Sequence, residues 1–367
     1  MTAVERPVIC IDSSPLLVRS AGVKTYLYHW TRALAAARPA SIRSFLAPRE
    51  AAELNHDGGP RLHFSQLAAL LLLNRTAGIF ANVAAPKCDV FHISNLLRYP
   101  PRGPKLSATV HDLTSWIVPQ LQKSANVKGD REFASRVLTA ADGMIAVSEN
   151  TRQDAIRILD FHPDKICVIH PGVPEAYFSA APILRARPYF LSVGTIEPRK
   201  NIDLLLTAWA SLPPSFREEH TLLIAGMEGW DSATTMSRLR QMTRDDASVE
   251  YLGYVAEAGM PSLVAGALAL VYPSLYEGFG IPVAQAMAAG CPVITSNVSS
   301  LPEVAGGAAI LVDPRSVSEI TGAMTRVAGS SDLREDLRRR GRERARHFTW
   351  ARAASESLRY FDGLVHS

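Results

Sequence analysis

The amino-acid sequence predicts an α/β protein built from two doubly wound domains, each with a parallel sheet covered by helices on both faces. Three observations support this prediction. Short apolar, β-branched segments alternate with helical segments, a pattern typical of parallel strands that are buried on both faces. The alternation runs through the chain twice, once in each half. A length of 367 residues suits two domains of ordinary size.

The first half contains six strand candidates separated by helical segments. The predicted strands are 8–11, 42–46, 90–93, 108–111, 144–147 and 166–169. The predicted helices are 22–37, 65–73, 131–141 and 149–159. Ser148 is suited to cap the N-terminus of the last helix, because a serine side chain can accept a hydrogen bond from a free backbone N–H there.

The second half repeats the pattern with further strand candidates. These are 189–193, 222–225, 269–272, 293–295 and 309–312. Residues 177–188 are rich in Ala and Pro and separate the two series.

We therefore expect an N-terminal domain over residues 1–183, a C-terminal domain over 184–348, and a final helix over 349–367 that packs back on the first domain. Two doubly wound domains that face each other leave a central cleft. The carboxyl ends of the strands lie along such a cleft and are where this architecture binds ligands.

Composition and charge exclude several classes of protein. With 47% hydrophobic and 20% charged residues, the chain is globular and not disordered. Its longest apolar run, residues 67–73, is far shorter than the roughly 20 residues that span a bilayer. The four cysteines are scattered and form no C-x-x-C pair, so we expect no metal site and a reducing cytoplasmic location. The net charge of +4 is too small and dispersed to favour nucleic acid.

The turn that follows the predicted strand 269–272 is the most informative segment. It reads Glu-Gly-Phe-Gly from Glu277 to Gly280, and a helix is predicted to begin near Ile281. Exposed backbone N–H groups at such a helix N-terminus bind anions, phosphate above all. A carboxylate beside them is suited to accept hydrogen bonds from sugar hydroxyls. The alternative interpretation is a tight turn in which Glu277 only caps the helix.

Two adjacent cations follow the predicted strand 189–193. Arg199 and Lys200 come shortly after the turn at Gly194-Thr195. This pair suits a diphosphate, because lysine supplies a point charge and arginine a planar fork of donors. Either residue could instead be a solvated side chain at the start of a helix.

These two motifs together resemble a known family. The segments VGTIEPRKN and YPSLYEGFGIPVAQAMAAGCPVITSNVSSLPEVAGGAAILVDP are similar to the C-terminal half of retaining GT-B glycosyltransferases of family 4. The first half resembles the family more loosely, at SAGVKTYLYHWTRAL, VHDLTSW, AVSENTR and IHPGV. The pattern is most similar to that of bacterial polysaccharide and O-antigen enzymes, often mannosyltransferases that use GDP-mannose.

The resemblance implies roles for the residues that match. Arg199 and Lys200 would neutralise the donor diphosphate, and Glu277 would hold the hydroxyls of the donor sugar. Backbone donors to sugar and phosphate would come from Gly278, Phe279 and Gly280.

The remaining correspondences include departures from the family pattern. His111 would lie near the donor sugar, and Gly22 would let the backbone approach the phosphates, although Ala21 stands where the family usually has a second glycine. Gln285 occupies the position of the carboxylate that holds the ribose, and Thr195 that of an arginine in some relatives. An amide can still hydrogen-bond a ribose diol, but it lacks the charge-assisted bond.

The expected reaction is therefore a retaining, metal-independent hexosyl transfer from a nucleotide sugar to a glycan or lipid-linked hydroxyl. The sequence contains no D-x-D motif for a metal-bound diphosphate, and we expect no cofactor. Residues 65–85 form either a peripheral membrane contact or a buried helix.

Three alternatives stay open: a nucleotide-sugar 2-epimerase of the same fold, a non-catalytic nucleotide-sugar-binding subunit, and an NAD-dependent oxidoreductase. The last is disfavoured because the chain lacks G-x-G-x-x-G after its first strand.

Overall fold

The computed structural model describes residues 6–17, 22–46 and 79–366. The chain divides into two compact units. The first unit consists of Met1–Leu113, Ala125–Gly172 and Trp350–Ser367, and the second of Thr114–Ser124 and Val173–Thr349. The predicted helix at 65–73, with its apolar run 67–73, and Ala21 lie outside the described residues.

The first unit contains one sheet of parallel strands. In the described part of the chain these strands are β1 (Ile9–Asp12), β2 (Ile42–Phe45), β3 (Val90–Ile93), β4 (Lys105–Val110), β5 (Gly143–Ala146) and β6 (Ile166–Val168). They lie in the order β2-β1-β3-β4-β5-β6, and every neighbouring pair is parallel.

The second unit contains another parallel sheet. Its described strands are β7 (Tyr189–Val193), β8 (Thr221–Ala225), β9 (Val249–Gly253), β10 (Ala269–Tyr272), β11 (Val293–Ser296) and β12 (Ile310–Val312). They lie in the order β12-β11-β10-β7-β8-β9. The strand order reverses between β7 and β10, and in doubly wound sheets a ligand binds at the carboxyl ends of the two strands that flank such a reversal.

Helices connect most successive strands in both units, although β3 and β4 are joined by a segment without a helix. Over the described residues the helices are α1 (Gly22–Ala37), α2 (Ile79–Ala84), α3 (Thr114–Ile117), α4 (Ser124–Arg136), α5 (Glu149–Leu159), α6 (Glu175–Phe178), α7 (Ile202–Ala210), α8 (Pro214–Glu219), α9 (Ala233–Asp245), α10 (Met260–Gly266), α11 (Ile281–Ala288), α12 (Leu301–Ala305), α13 (Val317–Gly329), α14 (Ser331–Ala345) and α15 (Trp350–His366). In the residues that the structure describes, no helix is long and apolar enough to cross a membrane.

The predicted α/β architecture with two parallel sheets is confirmed. Helices α1 and α5 have the predicted bounds, and the Ser148 side chain accepts a hydrogen bond from the Thr151 N–H at 3.0 Å, as expected of an N-cap.

Two details of the prediction are wrong. Strand β9 was not predicted, because it is an edge strand in which only Val249 is buried, so it lacks the continuous apolar run of the other strands. Helix α4 begins at Ser124 and ends at Arg136, whereas a helix over 131–141 was expected. Most residues of α4 are exposed and polar. No apolar pattern therefore marks the residue at which the helix begins.

The last helix, α15, packs against α1 within the first unit. Trp30 donates a hydrogen bond to the Ser357 hydroxyl at 2.9 Å, and Arg38 makes a two-armed ion pair with Asp362 at 2.6 and 2.8 Å. The chain passes from the first unit to the second between Gly172 and Val173. This is before the expected junction at 177–188, because the short helix α6 packs against α10 and α11 of the second unit.

In the second unit, α14 supports the short helix α12. Arg344 donates to the carbonyls of Glu303 and Val304 at 2.7 and 3.1 Å. These carbonyls lie at the C-terminal end of α12, where carbonyl groups lack partners within the helix and where a cation is favourable. The contact fixes α12 and with it the preceding residues Ser299 and Ser300.

Candidate active site

The candidate site lies at the carboxyl ends of β7 and β10, where the strand order of the second sheet reverses. After β7 the chain turns and forms a short 3₁₀ turn over Pro198–Lys200. The loop after β10 runs beside it, and the Leu275 N–H donates to the Arg199 carbonyl at 2.9 Å. The Asn201 side chain donates to the Pro273 carbonyl at 3.1 Å. The two loops that carry the predicted motifs are therefore bonded to each other.

Lys200 and Glu277 are in direct contact. The Lys200 Nζ lies 2.5 Å from Glu277 Oε1, and the two side chains are 13% and 8% exposed. The structure thus brings together the cation and the carboxylate that the sequence placed on two separate motifs. Burial of this extent excludes most of the water that would otherwise weaken the interaction.

Arg199 lies between two carboxylates. One arm of its guanidinium donates to Glu277 Oε2 and to the Tyr276 carbonyl, at 2.6 and 2.9 Å. The other arm donates to Glu197 Oε1 at 2.6 Å. Both arms are thus used within the protein, and Glu197 is a member of the cluster that sequence reasoning missed. The only sequence signal was its place two residues before Arg199.

Tyr272, the last residue of β10, completes the cluster. Its hydroxyl donates to Glu277 Oε1 at 2.8 Å and accepts a hydrogen bond from Lys200 Nζ at 2.5 Å. The sequence analysis recognised Tyr272 as a strand end and gave it no role. We use the name charge cluster for the five residues Glu197, Arg199, Lys200, Tyr272 and Glu277.

Burial and the neighbouring charges set the ionisation of the charge cluster. Burial raises the pKa of the Glu277 carboxyl, but Arg199 and Lys200 outweigh it, and the net pKa falls from 4.5 to about 2. Burial, reinforced by Glu277, raises the pKa of Tyr272 well above 10. Glu277 is therefore ionised and Tyr272 protonated at neutral pH. Burial also lowers the pKa of Lys200, while Glu277 opposes this change.

The backbone of Glu277 is held by the loop before α12. The Glu277 N–H donates to the Ser299 hydroxyl at 3.0 Å, and the Ser300 hydroxyl donates to the Glu277 carbonyl at 2.9 Å. Both the N–H and the carbonyl of Glu277 are therefore held, which fixes the backbone that carries the carboxylate.

The glycine-rich turn leads into α11 as predicted. Gly280 has a φ of 96°, in the left-handed region that glycine adopts without strain, and α11 begins at Ile281. The Phe279 ring is buried and packs edge-on against Phe348, with centroids 5.3 Å apart. This packing anchors the turn of which Gly278 is also part. Gln285 lies one turn into α11 and is half-buried.

Thr195 lies next to the turn after β8. A Cβ on Gly229 would lie 2.6 Å from the Thr195 methyl group, so the two loops pack closely here. No hydrogen bond of the Thr195 side chain contributes to the charge cluster within the described residues.

His111 and Gly22 belong to the first unit. His111 follows β4, and its ring packs edge-on against Tyr26 of α1 with centroids 4.8 Å apart. Burial lowers the pKa of His111 from 6.5 to about 4, while Asp112 opposes this, so its imidazole is neutral at neutral pH. Gly22 is the exposed first residue of α1.

No group of three or more His, Cys, Asp or Glu side chains suited to hold a metal ion occurs in residues 6–17, 22–46 and 79–366.

Two families match this chain. The family described as "Glycosyl transferases group 1" matches residues 175–344, and the family described as "Glycosyltransferase Family 4" matches residues 20–177. The O-antigen chain mannosyltransferase B of Escherichia coli is 32% identical over 279 residues, which is 73% of each chain.

Solved structures show the same fold. Sucrose-phosphate synthase from Thermosynechococcus elongatus superposes with a TM-score of 0.75 at 20% identity, over 98% of this chain and 99% of that chain. Anabaena HepE, solved in complex with UDP and glucose, superposes with a TM-score of 0.67 at 15% identity, over 97% and 99% of the two chains.

The two parallel sheets and these similarities define an enzyme with the GT-B fold. The chain belongs to the group 1 glycosyltransferases of glycosyltransferase family 4, and it is a hexosyltransferase related to O-antigen mannosyltransferases.

Proposed function

We propose that this enzyme transfers mannose from GDP-mannose to a hydroxyl of a glycan or lipid-linked acceptor, with retention of anomeric configuration and without a metal ion. The observation that carries this proposal is the charge cluster between β7 and β10, where the strand order of the second sheet reverses. In this cluster an ionised Glu277 is paired with Lys200. The 32% identity to an O-antigen mannosyltransferase supports the choice of mannose.

Lys200 is the proposed cation for the donor diphosphate. In the structure its ammonium group is satisfied by the Glu277 carboxylate and the Tyr272 hydroxyl. A diphosphate oxygen can replace either partner, since an ammonium group donates three hydrogen bonds and is not tied to one geometry. Backbone N–H groups of Gly278, Phe279 and Gly280 at the start of α11 are the proposed additional donors.

Both arms of the Arg199 guanidinium are bonded within the protein, to Glu277, to the Tyr276 carbonyl and to Glu197. In the role that we propose, Arg199 therefore holds Glu277. We propose that it adds positive charge near the diphosphate but directs its hydrogen bonds to Glu277 and Glu197.

Glu277 is the proposed acceptor for the hydroxyls of the donor sugar. A carboxylate that stays ionised accepts charge-assisted hydrogen bonds, which are about twice as strong as neutral ones. Once Lys200 turns toward phosphate, Oε1 gains the capacity to accept from the sugar. Donor entry is thus an exchange of partners within the charge cluster.

As the glycosidic bond breaks, negative charge builds on the diphosphate and positive charge on the anomeric carbon. Lys200 and the N-terminus of α11 stabilise the first, and the Glu277 carboxylate favours the second. In the retaining reaction that we propose, the acceptor attacks the face from which the diphosphate leaves, and a phosphate oxygen takes the acceptor proton.

Four further residues have proposed roles in donor binding. Gln285 would hydrogen-bond the ribose, and the backbone at Thr195 and Gly22 would approach the phosphates. The neutral imidazole of His111 would hydrogen-bond the donor sugar. The roles of His111 and Gly22 follow from positions at which the chain resembles its family, whereas Gln285 and Thr195 stand where the family or some of its members carry another residue.

A donor screen tests the proposed function. GDP-mannose, UDP-glucose, UDP-N-acetylglucosamine and dTDP-rhamnose are compared by thermal shift and by nucleotide release, with EDTA or with Mg²⁺. We expect GDP-mannose to raise the melting temperature most, since a ligand at 100 times its Kd adds about 2.7 kcal/mol to stability. We expect nucleotide release only when acceptor is present, at equal rates with EDTA and Mg²⁺.

Four outcomes of the screen contradict the proposal. If no nucleotide sugar raises the melting temperature, the chain is not a functional transferase for these donors. Release of nucleotide at the same rate without acceptor means that the hexose is transferred to water, and conversion of the donor into its 2-epimer points instead to an epimerase. Activity that EDTA abolishes and Mg²⁺ restores contradicts the metal-free mechanism.

We also propose a peripheral contact with the inner face of the membrane, through which a lipid-linked acceptor would be reached. Helix α2 supports it, because Ile79 and Val83 are 67% and 81% exposed and Phe80 is 43% exposed. Apolar side chains on a short exposed helix of this kind can enter the interfacial region of a bilayer.

Flotation with anionic liposomes tests this contact. The protein should float with the vesicles, and Val83→Ser should lower the bound fraction several-fold. Leu184→Ser is the matched control, because Leu184 is 86% exposed but belongs to the second unit. Absence of flotation at both low and high salt rules the contact out.

A further inference from the structure

Tyr272 lies at the centre of the charge cluster and has no role in the family motifs described above. Its side chain is only 2% exposed, and its hydroxyl lies between Glu277 Oε1 at 2.8 Å and Lys200 Nζ at 2.5 Å. Its carbonyl accepts a hydrogen bond from the Thr295 hydroxyl at 3.0 Å, which ties the residue to the neighbouring strand β11. The phenol is thus held rigidly at the end of a central strand.

Chemistry fixes the direction of both hydrogen bonds. A carboxylate only accepts hydrogen bonds and an ammonium group only donates them, whereas a phenol donates one and accepts others. The phenol proton must therefore point at Glu277, and the phenol oxygen must accept from Lys200. The raised pKa of Tyr272 supports this arrangement, since the hydroxyl keeps its proton at neutral pH.

We propose that Tyr272 is a positioning residue, whose hydroxyl keeps the Glu277 carboxylate aimed at the donor sugar when Lys200 leaves it for the diphosphate. This inference rests on the proposed function. The bond from Tyr272 to Glu277 can persist during donor entry, whereas the bond from Lys200 is exchanged. Arg199 holds the other oxygen, Oε2, so Oε1 is fixed by Tyr272 alone among the cluster residues once Lys200 has moved.

Removal of the Tyr272 hydroxyl should impair recognition of the donor sugar much more than binding of the nucleoside diphosphate. Tyr272→Phe removes the hydroxyl and keeps the ring that packs in the sheet. A hydrogen bond to a charged group contributes enough that its loss lowers the rate about 30-fold, so kcat/KM for the sugar donor should fall by about that factor. Affinity for the nucleoside diphosphate without sugar should change less than about threefold, because phosphate and Tyr272 compete for Lys200.

Tyr189→Phe is the matched control. Tyr189 lies on the adjacent strand β7, is 1% exposed and donates its hydroxyl hydrogen bond to the Leu263 carbonyl at 2.6 Å. It lies at the opposite, amino end of the strand, and among the described residues its hydroxyl bonds to the Leu263 and Ile183 carbonyls and not to the charge cluster. Tyr189→Phe should therefore keep kcat/KM within about twofold of the wild type, even if loss of this hydroxyl lowers the melting temperature.

A double-mutant cycle separates a positioning role from a general loss of structure. If Tyr272 acts through Glu277, Tyr272→Phe should not weaken binding of the nucleotide sugar further in a Glu277→Ala background, whereas independent effects would add. Should Tyr272→Phe not fold, replacement of Tyr272 by 4-aminophenylalanine keeps the ring and an N–H donor. That protein should retain kcat/KM within about fivefold of the wild type.

The outcomes distinguish this inference from the proposed function. If the wild type binds and turns over a nucleotide sugar while Tyr272→Phe matches Tyr189→Phe, the positioning role is wrong and the proposed function stands. The role is equally wrong if Tyr272→Phe loses nucleoside diphosphate affinity as strongly as kcat/KM, or if the 4-aminophenylalanine protein loses about 30-fold. If the wild type binds no nucleotide sugar, the proposed function itself fails.

Discussion

Replacement of Glu277 by alanine should lower hexosyl transfer by about 10³-fold. The substitution removes the carboxylate that we propose to accept from the sugar hydroxyls, and each such charge-assisted hydrogen bond contributes roughly 1.5–3 kcal/mol. It also removes the anion that Arg199 and Lys200 share, while Arg199 keeps its bond to Glu197 and Lys200 its bond to Tyr272. The measurement is kcat/KM with the donor selected by the screen.

The Glu277→Ala protein should remain folded, although less stable than the wild type. Removal of one member of a buried ion pair costs about 3–5 kcal/mol, but Arg199 retains Glu197 as a partner. Circular dichroism and thermal unfolding check this expectation. Glu228→Ala is the control, because Glu228 belongs to the same unit and forms a half-exposed ion pair with Arg240. Full activity in folded Glu277→Ala protein would remove Glu277 from the site.

Replacement of Lys200 by alanine should lower transfer by about 10²- to 10³-fold. Loss of one fixed group that stabilises developing negative charge typically has an effect of this size. Unlike Glu277→Ala, this change should also weaken binding of the nucleoside diphosphate itself, because the diphosphate loses its proposed cation. Glu277 should keep its place, since Arg199 and Tyr272 still hold it.

Lys200→Arg should restore little of the activity, because a planar fork cannot occupy the position of a compact ammonium between Tyr272 and Glu277. The control is Lys165→Ala, which removes an exposed lysine of the first unit. A Lys200→Ala protein that transfers hexose at the wild-type rate would show that another group carries the diphosphate.

The alternation of apolar strands and helices was sufficient to predict the two parallel sheets, because buried strands show as continuous apolar runs. It was not sufficient for β9, an edge strand whose residues are mostly half-exposed. Strand order is likewise absent from the local pattern. The adjacency of β7 and β10, which brings the two motifs together, results from packing of the whole unit.

The sequence predicted that Lys200 and Glu277 lie at the same edge of the sheet, because both follow parallel strands, but their direct contact also requires that β7 and β10 be neighbours. The roles of Glu197 and Tyr272 in the charge cluster were not predictable. Spacing alone does not tell whether Arg199 turns to a ligand or to two carboxylates. Nor does spacing show that the hydroxyl of Tyr272, at the end of β10, donates a hydrogen bond to Glu277. Both depend on side-chain directions that only the folded loops define.

Calorimetric titration of GDP and GDP-mannose, or of the pair that the donor screen selects, tests the central claim most directly. The account predicts that Lys200→Ala loses most of the affinity for both ligands. It predicts that Glu277→Ala binds the nucleoside diphosphate at least as tightly as the wild type but loses the additional affinity that the sugar provides. If both variants bind the nucleotide sugar with wild-type affinity, the charge cluster does not hold the donor and the account is contradicted.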